Sequence, residues 1–252
     1  MTSLTTVSID EGSMHSEMDV AGPPAAGSGG DGLSAGPWGG SRRDFLRAAL
    51  AAGVALGLPM ALGGCHVLGA AGRRKLDFGD DFGVLNYAYA LETLEADFYT
   101  RVVNDPPRDL RSGELAVLRD IAEHERQHRN FFKRALNVLR VELPPRDFGS
   151  IVMTSRDGVL GAARMFEDLG VAAYNGAGTR VRLAEFLTIA GKIVSVEARH
   201  ASAIRELIEP NSRSFAGDDV IDAMGMDRAM PPGDVLERAQ PFFRGRLRVA
   251  NL

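Results

Sequence analysis

The stretch LAEFLTIAGKIVSVEARHASAIREL, Leu183 to Leu207, carries a helical stripe with two residues that do not belong on one. Leu183, Phe186, Ala190, Ile193, Ile204 and Leu207 recur at three- and four-residue steps, the pattern of one buried helix face. Glu197 and His200 fall on the same face. An ionised carboxylate buried without a partner costs several kcal/mol. Something in the interior must therefore take the place of the missing apolar neighbour.

Three further segments upstream repeat the pattern. The spacing predicts a first helix over about Phe82–Val103, ending before Asn104-Asp105-Pro106-Pro107. A second runs from about Gly113, with Ser112 as its N-cap, to Leu139, before Pro144-Pro145. A third starts after the capping pattern Thr154-Ser155-Arg156-Asp157 and ends near Gly176. The fourth is expected over Thr179–Ile208, ahead of Glu209-Pro210-Asn211.

Short connections join the first two helices and the last two, so each pair should form an antiparallel hairpin. Between the pairs lie about 15 residues, Arg140–Thr154, which fully extended reach roughly 50 Å, the length of a bundle. The expected fold class is all-α: a four-helix bundle with one long crossover between helices 2 and 3.

Each seam is broken by carboxylates. The first helix presents Leu85, Ala88, Glu92, Glu95, Tyr99 and Val102; the second Leu118, Ile121, Glu125, His128, Phe132, Ala135 and Leu139. The third presents Leu160, Ala163, Glu167, Gly170 and Tyr174. Glu92 and Tyr99 are seven apart, as are Glu167 and Tyr174. Glu125 and His128 are three apart, as are Glu197 and His200. Each hairpin thus supplies one Glu and one Glu-x-x-His.

Residues at i and i+3 share a helix face, so each Glu-x-x-His can serve one site. Four carboxylates and two neutral imidazoles balance two divalent cations: Glu92, Glu125, Glu167 and Glu197 bring −4 against +4. This donor set is the recurring one of di-iron and di-manganese carboxylate proteins. The candidate metal ligands are Glu92, Glu125, His128, Glu167, Glu197 and His200. A hydrogen-bonded polar core without metal is the competing arrangement.

Glu95 breaks the symmetry, since Gly170 stands in its place in the second half. It either leans to solvent or acts beside the ions as an extra ligand or proton carrier, with Gly170 leaving room for peroxide or dioxygen. Glu95 and Tyr99 are the candidate catalytic residues. His124 lies about 100° around the helix from Glu125 and reads as a surface or packing histidine. Met224, Met226 and Met230 read as core or loop packing rather than a copper site. A short helix is expected over Val235–Phe243, docking Phe242 and Phe243 on the bundle.

The chain has 252 residues, 45% of them hydrophobic, enough for one domain with extensions. A net charge of −4 leaves no basic footprint for nucleic acid. The single cysteine, Cys65, excludes an intrachain disulfide and a cysteine-cluster metal site. Residues 1–40, rich in Gly, Ser, Ala and Pro, read as a disordered leader, or in part as the product of an upstream start at Met1 rather than Met14 or Met18. Ser41-Arg42-Arg43-Asp44-Phe45-Leu46 and the mild apolar run after it resemble a twin-arginine export signal over 41–65. Leu62-Gly63-Gly64-Cys65 resembles a lipoprotein cleavage box, which makes Cys65 a candidate lipid anchor. A plain membrane anchor is the alternative, since the uncharged run continues to Gly72. The bundle is placed at 76–210 and a C-terminal extension at 211–252.

With these motifs assembled, the chain resembles the ferritin-like domain proteins, in particular an exported bacterial branch related to desiccation-related proteins. The resemblance rests on Leu91–Tyr99, Glu125-Arg126-Gln127-His128, Phe166–Tyr174 and Glu197-Ala198-Arg199-His200. It implies a ferritin-like bundle and a dinuclear iron or manganese site, but no single activity. The function expected is a redox activity on peroxide or dioxygen at the cell envelope or in the periplasm. The alternative is a non-catalytic metal-binding stress protein. Metal ions and a small oxidant are the expected partners, the membrane is met only through signal or lipid, and a homodimer is left open.

Overall fold

A computed structural model of the chain describes residues 75–252. The expected leader and export signal lie outside the described residues. The elements are β1 (Lys75–Asp77), α1 (Asp81–Asn104), α2 (Glu114–Leu136), α3 (Arg156–Gly178), α4 (Ala184–Ile208), α5 (Pro232–Ala239) and β2 (Arg248–Ala250). Single 3₁₀ turns follow α2 and α5 and another lies at Ser214–Ala216.

The four long helices form the expected bundle. α1 packs chiefly on α2, and α3 on α4. α1 is the central element: Val84, Tyr87, Leu91, Leu94, Phe98, Tyr99 and Val102 are all buried, on more than one face. A helix apolar on every side must be covered on every side. The covering comes from α2, α3, the crossover and the C-terminal extension. Phe98 sits among Tyr99, Phe148 of the crossover and Phe166 of α3, with ring centroids 5.0 to 5.8 Å away. Phe166 in turn meets Phe242 at 4.9 Å, the docking expected for the C-terminal aromatics.

The helix starts follow local chemistry. Asp80 caps α1 by accepting from the Gly83 N–H at 3.0 Å, and Ser155 caps α3 by accepting from Gly158 N–H at 3.1 Å. The boundaries of α2 and α4 differ from the sequence expectation. Ser112 does not cap α2; Gly113 holds that position in the left-handed region, φ 86°, and its helix begins at Glu114. α4 begins at Ala184 rather than Thr179, because Asp81 of α1 binds the N–H groups of Arg182 and Leu183 and holds them outside the helix. At its far end α2 gives way to a 3₁₀ turn over Asn137–Leu139.

The crossover is tied at both sides. Asn86 of α1 accepts from the Val141 N–H at 2.8 Å and donates to the Leu139 carbonyl. On the tail side, the Asp147 N–H donates to the Phe242 carbonyl, and the Pro145 carbonyl accepts from the Arg244 N–H. A parallel pair, β1 with β2, joins the two ends of the described chain; periodicity over three-residue strands gave no sign of it. The extension is anchored by Arg205, 1% exposed, whose guanidinium meets Asp168 of α3 and Asp219 beyond the bundle. Met224 and Met226 do not pack as expected but stand exposed on a turn held by Asp222. Among the described residues no helix is long and apolar enough to cross a membrane.

Candidate metal centre

The six expected ligands converge in the bundle interior. Glu92, Glu125, Glu167 and Glu197 are wholly buried and His200 nearly so, while the His128 side chain keeps 13% of its surface. They fall into two overlapping groups: Glu92, Glu125, His128 and Glu197, and Glu125, Glu167, Glu197 and His200. Within each, one donor atom per residue lies within 4.8 Å of all the others.

Two carboxylates belong to both groups. Glu125 turns Oε2 toward His128 Nδ1, at 3.6 Å, and Oε1 toward His200 Nδ1, at 2.9 Å. Glu197 turns Oε1 toward His128 Nδ1, at 2.9 Å, and Oε2 toward His200 Nδ1, at 3.9 Å. Glu92 Oε2 lies 3.2 Å from His128 Nδ1 alone, and Glu167 Oε2 lies 3.4 Å from His200 Nδ1 alone. The arrangement is two shared carboxylates flanked at each end by one Glu and one His.

These contacts are short but not aligned as hydrogen bonds. Both Nδ1 atoms, both oxygens of Glu125 and Glu197, Glu92 Oε2 and Glu167 Oε2 are buried without a hydrogen-bond partner. Unpaired buried polar atoms are rare in folded proteins because each costs its full desolvation. Here eight sit in one place, close to one another but without hydrogen-bond partners. Metal–ligand distances of about 2.1 Å place neighbouring donor atoms about 3 Å apart, close to the separations found. The donor set therefore fits metal ions, and the carboxylate–histidine cluster could hold them.

The chain's own charges show the same demand. Burial drives Glu92 up to about 7, against the pull of His128 and Tyr174. Burial, then the neighbouring carboxylates, push Glu197 and Glu95 well above the ordinary range. Burial also opposes ionisation of Glu125, but the imidazoles of His128 and His200 outweigh it and hold that carboxyl down to about 2. His200 is pushed up to about 10 by Glu125 and Glu167 in spite of its burial. Raised carboxyls and raised imidazoles alike favour bound protons within the cluster.

The two tyrosines cross between the hairpins. Tyr99 of α1 donates to Glu167 Oε1 of α3 at 2.5 Å, and Tyr174 of α3 donates to Glu92 Oε1 of α1. The seven-residue spacing thus binds each outer carboxylate by the oxygen that faces away from the imidazoles. Tyr174, seen in the repeat, was not among the expected site residues, yet its contact is the twin of that of Tyr99.

Glu95 does not lean to solvent; it is 4% exposed. Its carboxylate takes up the room left by Gly170. A Cβ at Gly170 would come within 3.0 Å of Glu95 Oε1 and 3.5 Å of Glu197 Oε2. The space expected for a small molecule opposite Glu95 is thus in part filled by Glu95 itself. Glu95 belongs to neither four-residue donor group.

A sequence model of the ferritin-like domain matches residues 80–210, from the cap of α1 to the end of α4. The chain belongs to the ferritin-like domain family. Its bundle and its buried acid–histidine cluster occupy the same span in this family member. No curated protein matches the chain.

Proposed function

We propose that this ferritin-like protein is an exported dinuclear iron or manganese carboxylate protein with a redox activity on peroxide or dioxygen. The observation that carries the proposal is the sharing of Glu125 and Glu197, each with one unpaired oxygen turned to either imidazole. A single ion would leave one end of that set unsatisfied. Glu92 and His128 would complete one position, Glu167 and His200 the other. When bound, the two ions would supply a redox couple and Lewis acidity toward a small oxidant.

Iron and manganese both accept carboxylate and imidazole, so the donor chemistry admits either. Glu95 favours turnover over passive holding. Four carboxylates already balance two divalent ions, and burial beside them favours the protonated form of a fifth. A site that only holds metal gains nothing from it. A group that keeps a proton beside the reacting centre serves peroxide or dioxygen chemistry, where oxygen atoms are protonated on reduction. Tyr99 and Tyr174 hold Glu167 and Glu92 in place.

Export through the twin-arginine route to the periplasm or envelope is part of the proposal. Its support is the Ser41–Leu46 motif, with Cys65 as the candidate lipid site. The test is peroxide consumption by the metal-loaded chain beside Glu197→Ala/His200→Ala. Loss of both ions and of turnover in the double variant supports the reading. Metal binding without any turnover of peroxide or dioxygen would leave the passive stress-protein reading.

A further inference from the structure

His124, a surface or packing histidine by its helical position, is exposed. The structure gives it a specific contact as well: His124 Nδ1 lies 3.0 Å from His200 Nε2. The two rings are within 8° of parallel with centroids 5.2 Å apart. The nitrogen–nitrogen distance accounts for most of that separation, so the rings meet edge to edge in nearly one plane. That is the alignment of an N–H···N hydrogen bond, with the N–H along the partner's lone pair.

The direction of this bond follows from the other side of His200. Its Nδ1 faces Glu125 and Glu167 and must offer a lone pair if it is to bind an ion. The proton then sits on Nε2 and is donated to His124 Nδ1. The same Nε2–H is present if His200 is charged, so His124 accepts in either state. His124 in turn carries its own proton on Nε2, away from His200. The other ligand histidine has no such support: His128 shows contacts only from Nδ1 among the described residues, apart from a tilted approach of its ring to His200.

We propose that His124 is a positioning residue that fixes the tautomer and ring plane of His200, and so makes the His200 metal position the tighter of the two. The inference rests on the dinuclear reading above. A partner on the outer nitrogen of a ligand imidazole orients the ring and raises its basicity, and its loss costs about 10–100-fold in metal affinity. Commonly that partner is a carboxylate or a carbonyl; here an imidazole takes the role, one residue before the shared ligand Glu125.

Two substitutions separate positioning from packing. His124→Phe keeps a ring and removes the acceptor. His124→Asn keeps an acceptor oxygen close to the place of Nδ1. Titration of the metal-free full chain with Mn(II) should show two ions in the wild type, and a loss of about 10–100-fold for one of them in His124→Phe, with His124→Asn recovering most of it. In parallel, nitrogen-resolved magnetic resonance of the metal-free chain should show a slowly exchanging His200 Nε2–H that is lost in the Phe variant and returns in the Asn variant. His124→Phe with both affinities and the resonance unchanged would overturn the proposal. So would a loss in His124→Asn that equals or exceeds that in His124→Phe, since a restored acceptor would then recover nothing; loss in the Asn variant alone would mark a role of bulk. If the wild type takes up no ion, the function proposed above fails, while the resonance still decides whether His124 holds His200.

Discussion

Tyr99 on α1 donates its hydroxyl to Glu167 on α3 at 2.5 Å. Tyr174 on α3 returns the contact to Glu92 on α1. Each hairpin therefore braces the outer carboxylate of the other, and the two halves of the cluster are not independent. Tyr99→Phe would leave Glu167 Oε1 buried without a donor, at a cost of roughly 1–3 kcal/mol. The expected outcome is a lower melting temperature and weaker affinity at the Glu167/His200 position by about 10–100-fold. Thermal melts and metal titration check both, and an unchanged affinity would mean that the hydroxyl does not orient the carboxylate.

Glu95→Gln should separate holding metal from using it. The amide keeps the shape and removes the exchangeable acid proton. Both ions should be retained, while peroxide turnover should fall by about 10²–10⁴-fold, the usual worth of a placed proton carrier. Full turnover in a fully loaded Glu95→Gln chain would remove Glu95 from the chemistry.

Gly170→Ala tests the room that Glu95 occupies. The new Cβ would stand 3.0 Å from Glu95 Oε1, closer than comfortable contact. Overpacking of an interior costs roughly 1–3 kcal/mol. A drop in melting temperature is expected, larger in the wild-type background than in Glu95→Ala, where the carboxylate is gone. Equal effects in both backgrounds would show that Glu95 does not fill that space.

Stability should respond to pH in opposite directions with and without metal. After chelation, Glu92 has moved from an ordinary 4.5 up to about 7, and His200 from 6.5 up to about 10. Glu95 and Glu197 are raised as well. Between about pH 4.5 and 10 the folded chain thus binds more protons than the unfolded one, and its stability falls as pH rises. Glu125, held down to about 2, acts oppositely, its contribution being lost only as pH falls below about 4.5. A loaded chain would need Glu92, Glu197 and the donor nitrogen of His200 deprotonated, so metal affinity should rise with pH. Melting curves across pH, with and without chelator, should diverge; parallel curves would contradict the assignment of these groups as ligands.

Much of this was legible because two periodicities coincide. The three-four step of Leu118, Ile121, Glu125, His128 and Phe132 states both the helix and the fact that its seam holds donors. The duplicated Glu-x-x-His and the paired Glu and Tyr residues then fix which donors meet. Other features were not legible, each for a physical reason. Glu95 could be read either way, because one helix position does not say what stands opposite; the small size of Gly170 decided it. His124 lies off the seam by its helical angle, and only the packing of α2 on α4 brings it edge to edge with His200. The start of α4 is set by Asp81, about a hundred residues away in sequence, a contact no local propensity contains.

Metal content of the chain purified without added metal, set beside Glu197→Ala/His200→Ala, bears on the whole account. Two irons or two manganese ions per chain in the wild type, absent from the double variant, is the predicted result. A wild-type chain that takes up no specific metal even after anaerobic loading would contradict it, and the buried carboxylates would need another counter-charge.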